Sequence, residues 1–152
     1  MTEPDREEFQ AMVAVVEPRL RRALVAAYGF DKGREATAAA LAWAWEHRRR
    51  LRKIDQKVAY LFRVGQSSLR VKKTAPLFEI PHHEEPWIEP RLGSALAALS
   101  ERQRIAVVLV YGFRWTLAEV ADLTGTRIPT VQTHLERGLR HLRAAMEVSD
   151  HA

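Results

Sequence analysis

The segment over residues 100–143 constrains the fold more than any other part of the chain. Thr116 and Glu119 have the spacing of a capping box, in which a hydroxyl and a carboxylate bond reciprocally to backbone N–H groups. A short helix then ends at Gly125, a residue type that tolerates the left-handed conformation. Pro129 follows in the first turn of the next helix, where its missing N–H costs nothing. The order of short helix, tight turn and second helix predicts a helix-turn-helix, which lays its second helix in the major groove of DNA.

Apolar periodicity extends this unit in both directions. Val131, Leu135, Leu139 and Leu142 recur at helical spacing, which predicts a last helix over residues 128–146 after a short helix over 116–124. Two helices precede them, one around Leu92, Leu96 and Leu99, and one that begins with a Ser100–Gln103 capping box and ends at Gly112. The sequence therefore predicts a four-helix unit over residues 91–146, followed by a tail over residues 147–152.

The first 73 residues predict three more helices. Asp5 and Glu8 have the spacing of an N-cap with a glutamate three residues later, and Gly29 is a plausible end of that helix. Pro18 is expected to kink the helix or to split it in two. Asp31 and Asp55 are candidate caps of the next two helices. Because no alternating strand pattern longer than a few residues is present, the fold class is predicted to be all-α.

Charge and proline content change together between the two helical regions. Residues 1–73 carry 16 Lys and Arg against 9 Asp and Glu, a net charge of +7, whereas residues 74–90 carry four Glu and no Lys or Arg. Four prolines also fall in residues 74–90, and each disfavours helix at the residue before it. We therefore expect two small helical domains, 1–73 and 91–146, joined by a short acidic linker. The basic first domain indicates a polyanionic partner, with a merely solubilising surface as the alternative.

Composition excludes several classes of protein. The chain has no cysteine, so it holds neither a disulfide framework nor a thiolate metal site. No apolar run approaches the roughly 20 residues of a membrane span, and the acidic N-terminus is unlike a secretion signal. We therefore expect a cytoplasmic protein with no membrane partner. No phosphate-binding loop or nucleophile motif is present. His82 and His83 alone rarely make a metal site, so neither an enzyme nor a cofactor is expected.

The second helical region, residues 91–146, resembles the region-four domain of a known family, the extracytoplasmic function (ECF) group of sigma factors. The matching stretches occur in order and at the right spacing over about a third of the chain: residues 99–104 (LSERQR), 111–113 (YGF), 117–121 (LAEVA), 129–135 (PTVQTHL) and 138–143 (GLRHLR). The resemblance implies a transcription initiation factor whose last helix binds the promoter −35 element.

The first region resembles region two of the same family more weakly. Residues 60–66 (YLFRVGQ) and the basic residues 70–73 (RVKK) fit its promoter-binding helix. In the preceding helix the family usually carries an acidic Asp-Leu-x-Gln-Glu cluster that contacts RNA polymerase, but residues 35–39 here are EATAA. The core-binding motif is therefore degenerate, and Glu35 and Trp45 are the residues that the resemblance leaves for polymerase binding.

The recognition helix provides the first set of candidate DNA contacts. If its apolar stripe is buried, the outward residues are Arg127, Thr130, Gln132, Thr133 and Arg137. Arginine can donate two hydrogen bonds to guanine, and glutamine can pair with adenine. Thr116 and Arg140 are candidates for contact with the DNA backbone. The alternative for each residue is a plain solvated helix face.

The second set of candidates belongs to region two, which in sigma factors helps to open the −10 element and holds single-stranded bases. That task requires cations along a nucleic-acid backbone. By resemblance and charge the candidates are Arg48, Arg49, Arg50, Arg52, Lys53, Arg63, Gln66, Arg70, Lys72 and Lys73. A basic solvated surface is the alternative. Trp43, Trp45 and Tyr60 are expected in the core rather than as stacking platforms.

These expectations combine into one function with two alternatives. The first is a sigma factor that binds promoter DNA and RNA polymerase core without a cofactor, with an anti-sigma protein as a further partner that the resemblance allows. The second is a sigma-derived DNA-binding regulator that no longer binds polymerase productively. The third is a protein-interaction module whose helix-turn-helix is a docking surface.

Overall fold

The computed structural model of the protein describes residues 2–71 and 90–150. Within these two ranges the chain forms eight α-helices and no strand, which confirms the predicted all-α class, although the sequence predicted seven helices. The helices are α1 (Glu3–Tyr28), α2 (Phe30–Glu46), α3 (Arg48–Leu51), α4 (Lys57–Val71), α5 (Pro90–Ala98), α6 (Glu101–Val107), α7 (Leu117–Thr124) and α8 (Ile128–Asp150). None of the helices in the described ranges is long and apolar enough to cross a membrane.

The start of α1 differs from the prediction. Thr2, not Asp5, is the N-cap: its backbone is extended, and its hydroxyl accepts the Asp5 N–H at 3.4 Å. The reason is Pro4, which fits the first turn because no intrahelical bond is required of its nitrogen there. The helix can therefore begin ahead of the acidic residues, and Asp5 lies in the first turn.

Two further expectations for the first half (residues 2–71) need correction. Helix α1 runs through Pro18 without a break, because its flanking residues Val16 and Leu20 are buried and packing against α2 and α4 outweighs one lost backbone bond. Gly29 ends α1 as predicted, with φ of 90°, but it also directly precedes α2. Asp31 therefore lies inside the first turn of α2 and does not cap it. The short helix α3 was not predicted.

The first half packs closely because α2 is rich in alanine. Ala36, Ala40 and Ala44 are buried, which lets the backbone of α2 approach α1 and α4. Larger side chains on α1 and α4, among them Leu20, Leu24, Tyr28, Leu61 and Phe62, complete this part of the core. Burial of these apolar groups is the main source of stability for helices of this length.

In the second half (residues 90–150), α6 begins with the predicted capping box. The Ser100 hydroxyl accepts the Gln103 N–H at 3.2 Å, and the Gln103 side chain accepts the Ser100 N–H at 3.3 Å. Helix α6 continues as a π-helical turn, Val108–Gly112, so the chain leaves the helix at the predicted glycine. Helix α8 packs on α5, α6 and α7 and extends four residues beyond the predicted end at 146.

The two halves pack against each other. Helix α1 contacts α6 and the π-helical turn, α4 contacts α7, and buried residues from both halves form one apolar cluster. The predicted linker over residues 74–90 lies outside the described residues, except for Pro90 at the start of α5. The division into domains 1–73 and 91–146 therefore stays a prediction, and the structure adds that the halves share a core.

Candidate nucleic-acid interface

The helix-turn-helix has the local geometry that the sequence predicted. The Thr116 hydroxyl accepts the Glu119 N–H at 3.1 Å, and the Glu119 carboxylate accepts the Thr116 N–H at 3.0 Å. Gly125 adopts the left-handed conformation, with φ of 66° and ψ of 34°, and its N–H bonds to the Ala121 carbonyl. The two ends of α7 are therefore fixed by local bonds, and they set the direction in which α8 leaves the turn.

Because Thr116 supplies one half of this cap, Thr116→Ala is expected to lower the free energy of unfolding by about 1 kcal/mol. Urea denaturation in the absence of DNA measures the effect. Thr130→Ala is the matched control, since Thr130 is exposed at the start of α8, and it should leave the stability nearly unchanged. Equal stability of the two variants would contradict the capping role.

Helix α8 presents opposite faces to the protein and to solvent. Val131 and Leu135 are buried, and Leu139 and Leu142 are half-buried, as the periodicity predicted. The five outward residues of the prediction are all exposed: Arg127, Thr130, Gln132, Thr133 and Arg137. Arg140, assigned to the DNA backbone, is exposed on the same helix. The structure thus brings the first set of candidates together on one accessible face.

Most of these side chains are available for a partner. Thr133 bonds to the carbonyl of Pro129 at 3.1 Å, and Gln132 makes a long contact of 3.5 Å with Glu136. The side chains of Arg127, Arg137 and Arg140 make no hydrogen bond or ion pair with the part of the chain that the structure describes. Burial and then the positive charges of Arg102 and Arg137 lower the pKa of His134 on α8. Burial is the larger cause of that shift, and the two arginines add positive charge beside this face, which suits a polyanion.

The second set of candidates is divided by the fold. Arg49, Arg50 and Lys53 are exposed on α3 and the turn after it. Arg48 instead stacks on Trp45, 4.3 Å from the ring centroid, and Arg52 pairs with Asp5 at 2.8 Å and with Glu8 at 2.9 Å. Two of the predicted cations are therefore held within the first half. Lys72 and Lys73 lie outside the described residues.

The candidates on α4 face the second half. Arg63 Nη2 lies 3.1 Å from the position that a Cβ atom on Gly125 would occupy. Gln66 donates to the Tyr28 hydroxyl at 2.8 Å and lies 3.4 Å from the Glu101 carboxylate. Arg63, Gln66 and Arg70 line a polar groove between α4 and helices α6 and α7. The side of α4 that carries these candidates thus lies beside the helix-turn-helix, with Arg63 and Arg70 exposed and Gln66 half-buried.

The two candidates for polymerase binding lie on α2. Glu35 is exposed, and Trp45 is half-buried with its ring edge-to-face against Phe9 at 4.9 Å. They are ten positions apart in the sequence, which corresponds to roughly 15 Å along the helix. Trp43 and Tyr60 are also half-buried and contact each other, in agreement with a packing role for the aromatic residues.

The side-chain contacts that join the halves were not predicted from the sequence. Arg104 is only 4% exposed, and its guanidinium donates to carbonyls of both halves. Arg19 on α1 pairs with Glu119 on α7 and stacks on Trp115, 4.2 Å from the ring centroid. The Thr116 N–H and then Arg19 hold the pKa of Glu119 below its ordinary value. The sequence feature that could have indicated the burial of Arg104 is its position directly before the apolar run that begins at Ile105.

Comparison with known proteins agrees with this geometry. Residues 90–142 match the family model of sigma-70, region 4. No curated protein matches the sequence. Among solved structures, the sigma factor RpoE in complex with the anti-sigma factor NepR from Bartonella quintana is similar, with a TM-score of 0.69 and 18% sequence identity. The similarity covers 93% of this chain and 98% of that chain.

These findings confirm the resemblance seen in the sequence. At 18% identity the structural match establishes the fold alone, and the family model matches only the helix-turn-helix half, over residues 90–142. The chain has the fold of the sigma factor RpoE, and its residues 90–142 match the family model of sigma-70, region 4.

Proposed function

We propose that this protein directs RNA polymerase core to promoters, with α8 on the −35 element and the first half on the −10 element. The observation that carries the proposal is the exposed polar face of α8, which stands opposite a buried apolar face. A helix that packs on its own domain along one side and is polar along the other can enter a major groove while the helices on which it packs stay folded. The chemistry of RNA synthesis then belongs to the polymerase, and this chain needs no cofactor.

On α8 each residue type has a chemical role. Arg127 and Arg137 can each donate two hydrogen bonds to a guanine edge, and Gln132 can pair with adenine. Thr130 and Thr133 complete the face that approaches the bases. We assign contacts with phosphate to Arg140 and, at the start of α7, to Thr116. Such contacts position the duplex without specifying sequence.

In the first half the exposed cations Arg49, Arg50 and Lys53 and the α4 residues Arg63 and Arg70 are assigned to the −10 element. Glu35 and Trp45 are assigned to polymerase core. The similar structure is a complex of a sigma factor with an anti-sigma factor, which supports an anti-sigma protein as a partner of this chain as well.

Two experiments test the proposal. First, the full chain should co-purify with polymerase core and give run-off transcripts from its promoters, with Glu35→Ala reducing the co-purification. Promoter binding without transcripts would instead favour the sigma-derived regulator. Second, DNA affinity should fall steeply with salt, with a log–log slope of about −0.9 for each phosphate contacted. No measurable DNA affinity at low salt would favour the protein-interaction module.

A base-specific role of Gln132 can be measured separately. Gln132→Ala is expected to weaken binding by about 1–3 kcal/mol at one promoter position, because one bidentate contact is lost. Competition with promoters substituted at each position provides the readout. Gln10→Ala, an exposed glutamine on α1, is the matched control and should leave every position unchanged. A uniform loss across all sequences would contradict base recognition by Gln132.

A further inference from the structure

We propose that two carboxylates of α1, those of Asp5 and Glu8, compete with nucleic-acid phosphates for the guanidinium of Arg52. While the carboxylates occupy it, Arg52 contributes less to the sequence-independent attraction of nucleic acid to the first half. The consequence for the −10 element rests on the proposed function. The competition itself does not, because it can be measured with any single-stranded nucleic acid.

The contact joins parts of the chain that are far apart in the sequence. Arg52 directly follows α3 and lies 47 positions after Asp5. Its Nη2 atom lies 2.8 Å from the Asp5 Oδ1 atom and 2.9 Å from the Glu8 Oε2 atom. One nitrogen is thus held between two carboxylate oxygens, and the two negative charges outnumber the one positive charge between them.

Only one side of the acidic end of α1 takes part in this contact. Asp5 and Glu8 are three positions apart, which places them on one face of a helix. Glu3 and Glu7 belong to the same end of α1, but both are exposed and neither forms an ion pair with the described part of the chain. The helix dipole favours acidic residues at this end, but it does not explain why two of them bond to Arg52.

Arg52 belongs to a strongly basic segment. Residues 48–53 contain five Lys and Arg, all of them exposed except the half-buried Arg48. A guanidinium binds carboxylate and phosphate oxygens with the same kind of charge-assisted hydrogen bond. Because Arg52 is already bonded to carboxylates, a phosphate that reaches this segment must displace them before it can bind to Arg52.

Solvent reaches all three side chains, so the exchange requires no movement of the core. The side chain of Arg52 is 43% exposed, and those of Asp5 and Glu8 are 25% and 59% exposed. Exposed ion pairs contribute little to folding stability. A phosphate can therefore replace the carboxylates, but the replacement breaks two ion pairs and lowers the net affinity. The hydrogen bond from Arg52 also holds the pKa of Asp5 below its ordinary value, so this competitor stays charged at neutral pH.

The competition affects specificity as well as affinity. Contacts with phosphates supply most of the affinity for non-specific nucleic acid, and they carry no sequence information. By weakening one such contact, Asp5 and Glu8 lower the affinity for every sequence by the same factor. Under the proposed function, retention of a −10 element then depends more on contacts with its bases, and arbitrary single strands are bound less often.

The competition is tested with a single-stranded oligothymidine of roughly 12 nucleotides, which is within the usual range of single-strand site sizes. The full chain with Asp5→Asn and Glu8→Gln should bind this probe about three- to tenfold more tightly than the parent protein. Its log–log salt slope should be steeper by about 0.7, as expected for one more phosphate contact. Fluorescence anisotropy at several salt concentrations measures both quantities. Unchanged affinity and slope, or no binding by either protein, would overturn the proposal.

Glu3→Gln combined with Glu7→Gln is the matched control. It removes the same charge from the same end of α1 without removing a partner of Arg52, so it should raise the affinity by less than about twofold through screened, longer-range attraction. A second control places the substitutions at Asp5 and Glu8 in Arg52→Gln protein, where they should have no more effect than the matched control. An equal increase with and without Arg52 would overturn the proposal, because the carboxylates would then act through net charge alone.

A further variant covers the case in which the double substitution unfolds α1, which circular dichroism would reveal as lost helix. Glu8→Gln alone leaves the first turn intact and changes the more exposed of the two acidic residues. It should raise the affinity by about two- to threefold and steepen the salt slope. An unchanged slope in this variant would contradict the competition.

Run-off transcription separates this inference from the proposed function. Transcripts from the parent protein, together with equal oligothymidine binding by all variants, would support the function and overturn the competition. Tighter binding by the neutralised variant, with no transcripts from any protein, would support the competition and count against the function. A gain in affinity confined to −10 sequences would also overturn the competition, because phosphates do not distinguish sequences.

Discussion

Replacing Gly33 with alanine is expected to destabilise this protein by about 2 kcal/mol or more, although the change adds only one methyl group. Gly33 lies in the second turn of α2, where α2 crosses α1. A Cβ atom at this position would lie 2.6 Å from the Val25 Cα and 2.7 Å from the Val25 nitrogen. Both are backbone atoms, so the overlap can be relieved only by moving one helix away from the other.

The connection between the helices makes this movement costly. Gly29 alone separates α1 from α2, and its N–H and carbonyl bond to Val25 and Gly33 at 2.8 and 2.9 Å. Helices joined in this way cannot shift near the turn without losing these bonds. Alanine favours the helical conformation by about 1 kcal/mol relative to glycine. The expected decrease in the free energy of unfolding is the net effect after this favourable contribution is included.

Gly112→Ala provides the matched control for Gly33→Ala. A Cβ atom on Gly112 would meet only the Val108 side chain, at an ordinary contact distance of 3.8 Å. This variant should be as stable as the parent protein or slightly more stable. Thermal unfolding should separate the two variants by roughly 4–8 °C for a chain of this length. Coincident unfolding curves would show that α1 and α2 can move apart freely.

The helix-turn-helix could be predicted from the sequence because its signals are local. The Thr116–Glu119 cap and the left-handed Gly125 each depend on residues within one or two turns, and both are confirmed. The division of α8 into buried and exposed faces follows from its periodicity, and it is confirmed as well. The assignment of individual residues to bases stays a prediction.

Predictions failed where one local signal competed with another. The N-cap at Asp5 is wrong because Pro4 allows an earlier start, and Asp31 does not cap α2 because Gly29 both ends α1 and precedes α2. Pro18 does not split α1, since tertiary packing decides the outcome there. In each case the sequence predicted the helix correctly, and only its cap or its continuity was predicted wrongly.

Contacts between the halves could not be predicted in this way. Arg104 meets Ala27 across 77 positions of sequence, and Arg19 meets Glu119 across 100. No periodicity or capping rule relates residues so far apart. Arg63 and Gln66 lie beside the second half as a result of this packing. The surroundings of these −10 candidates therefore could not be predicted from the sequence.

Trp115→Ala is expected to give the largest loss of stability, about 3–5 kcal/mol. Trp115 is 5% exposed in the segment between the π-helical turn and α7. Its ring lies beneath the Arg19 guanidinium, and the backbone N–H of Trp115 donates to the Leu109 carbonyl at 2.8 Å. Truncation leaves a large cavity next to the start of the helix-turn-helix, and it removes the aromatic face on which Arg19 stacks.

Tyr111→Ala is the control for loss of an aromatic ring, because Tyr111 is 63% exposed in the π-helical turn just before that segment. This variant should change the stability by no more than about 0.5 kcal/mol. A double-mutant cycle with Arg19→Ala then isolates the stacking contact, for which we expect a coupling of about 0.5–2 kcal/mol. Additive losses would show that Trp115 stabilises only its own half. A clear coupling would show that one aromatic side chain stabilises both the helix-turn-helix and its contact with α1, because the ring of Trp115 is buried in one half and carries the Arg19 guanidinium of the other.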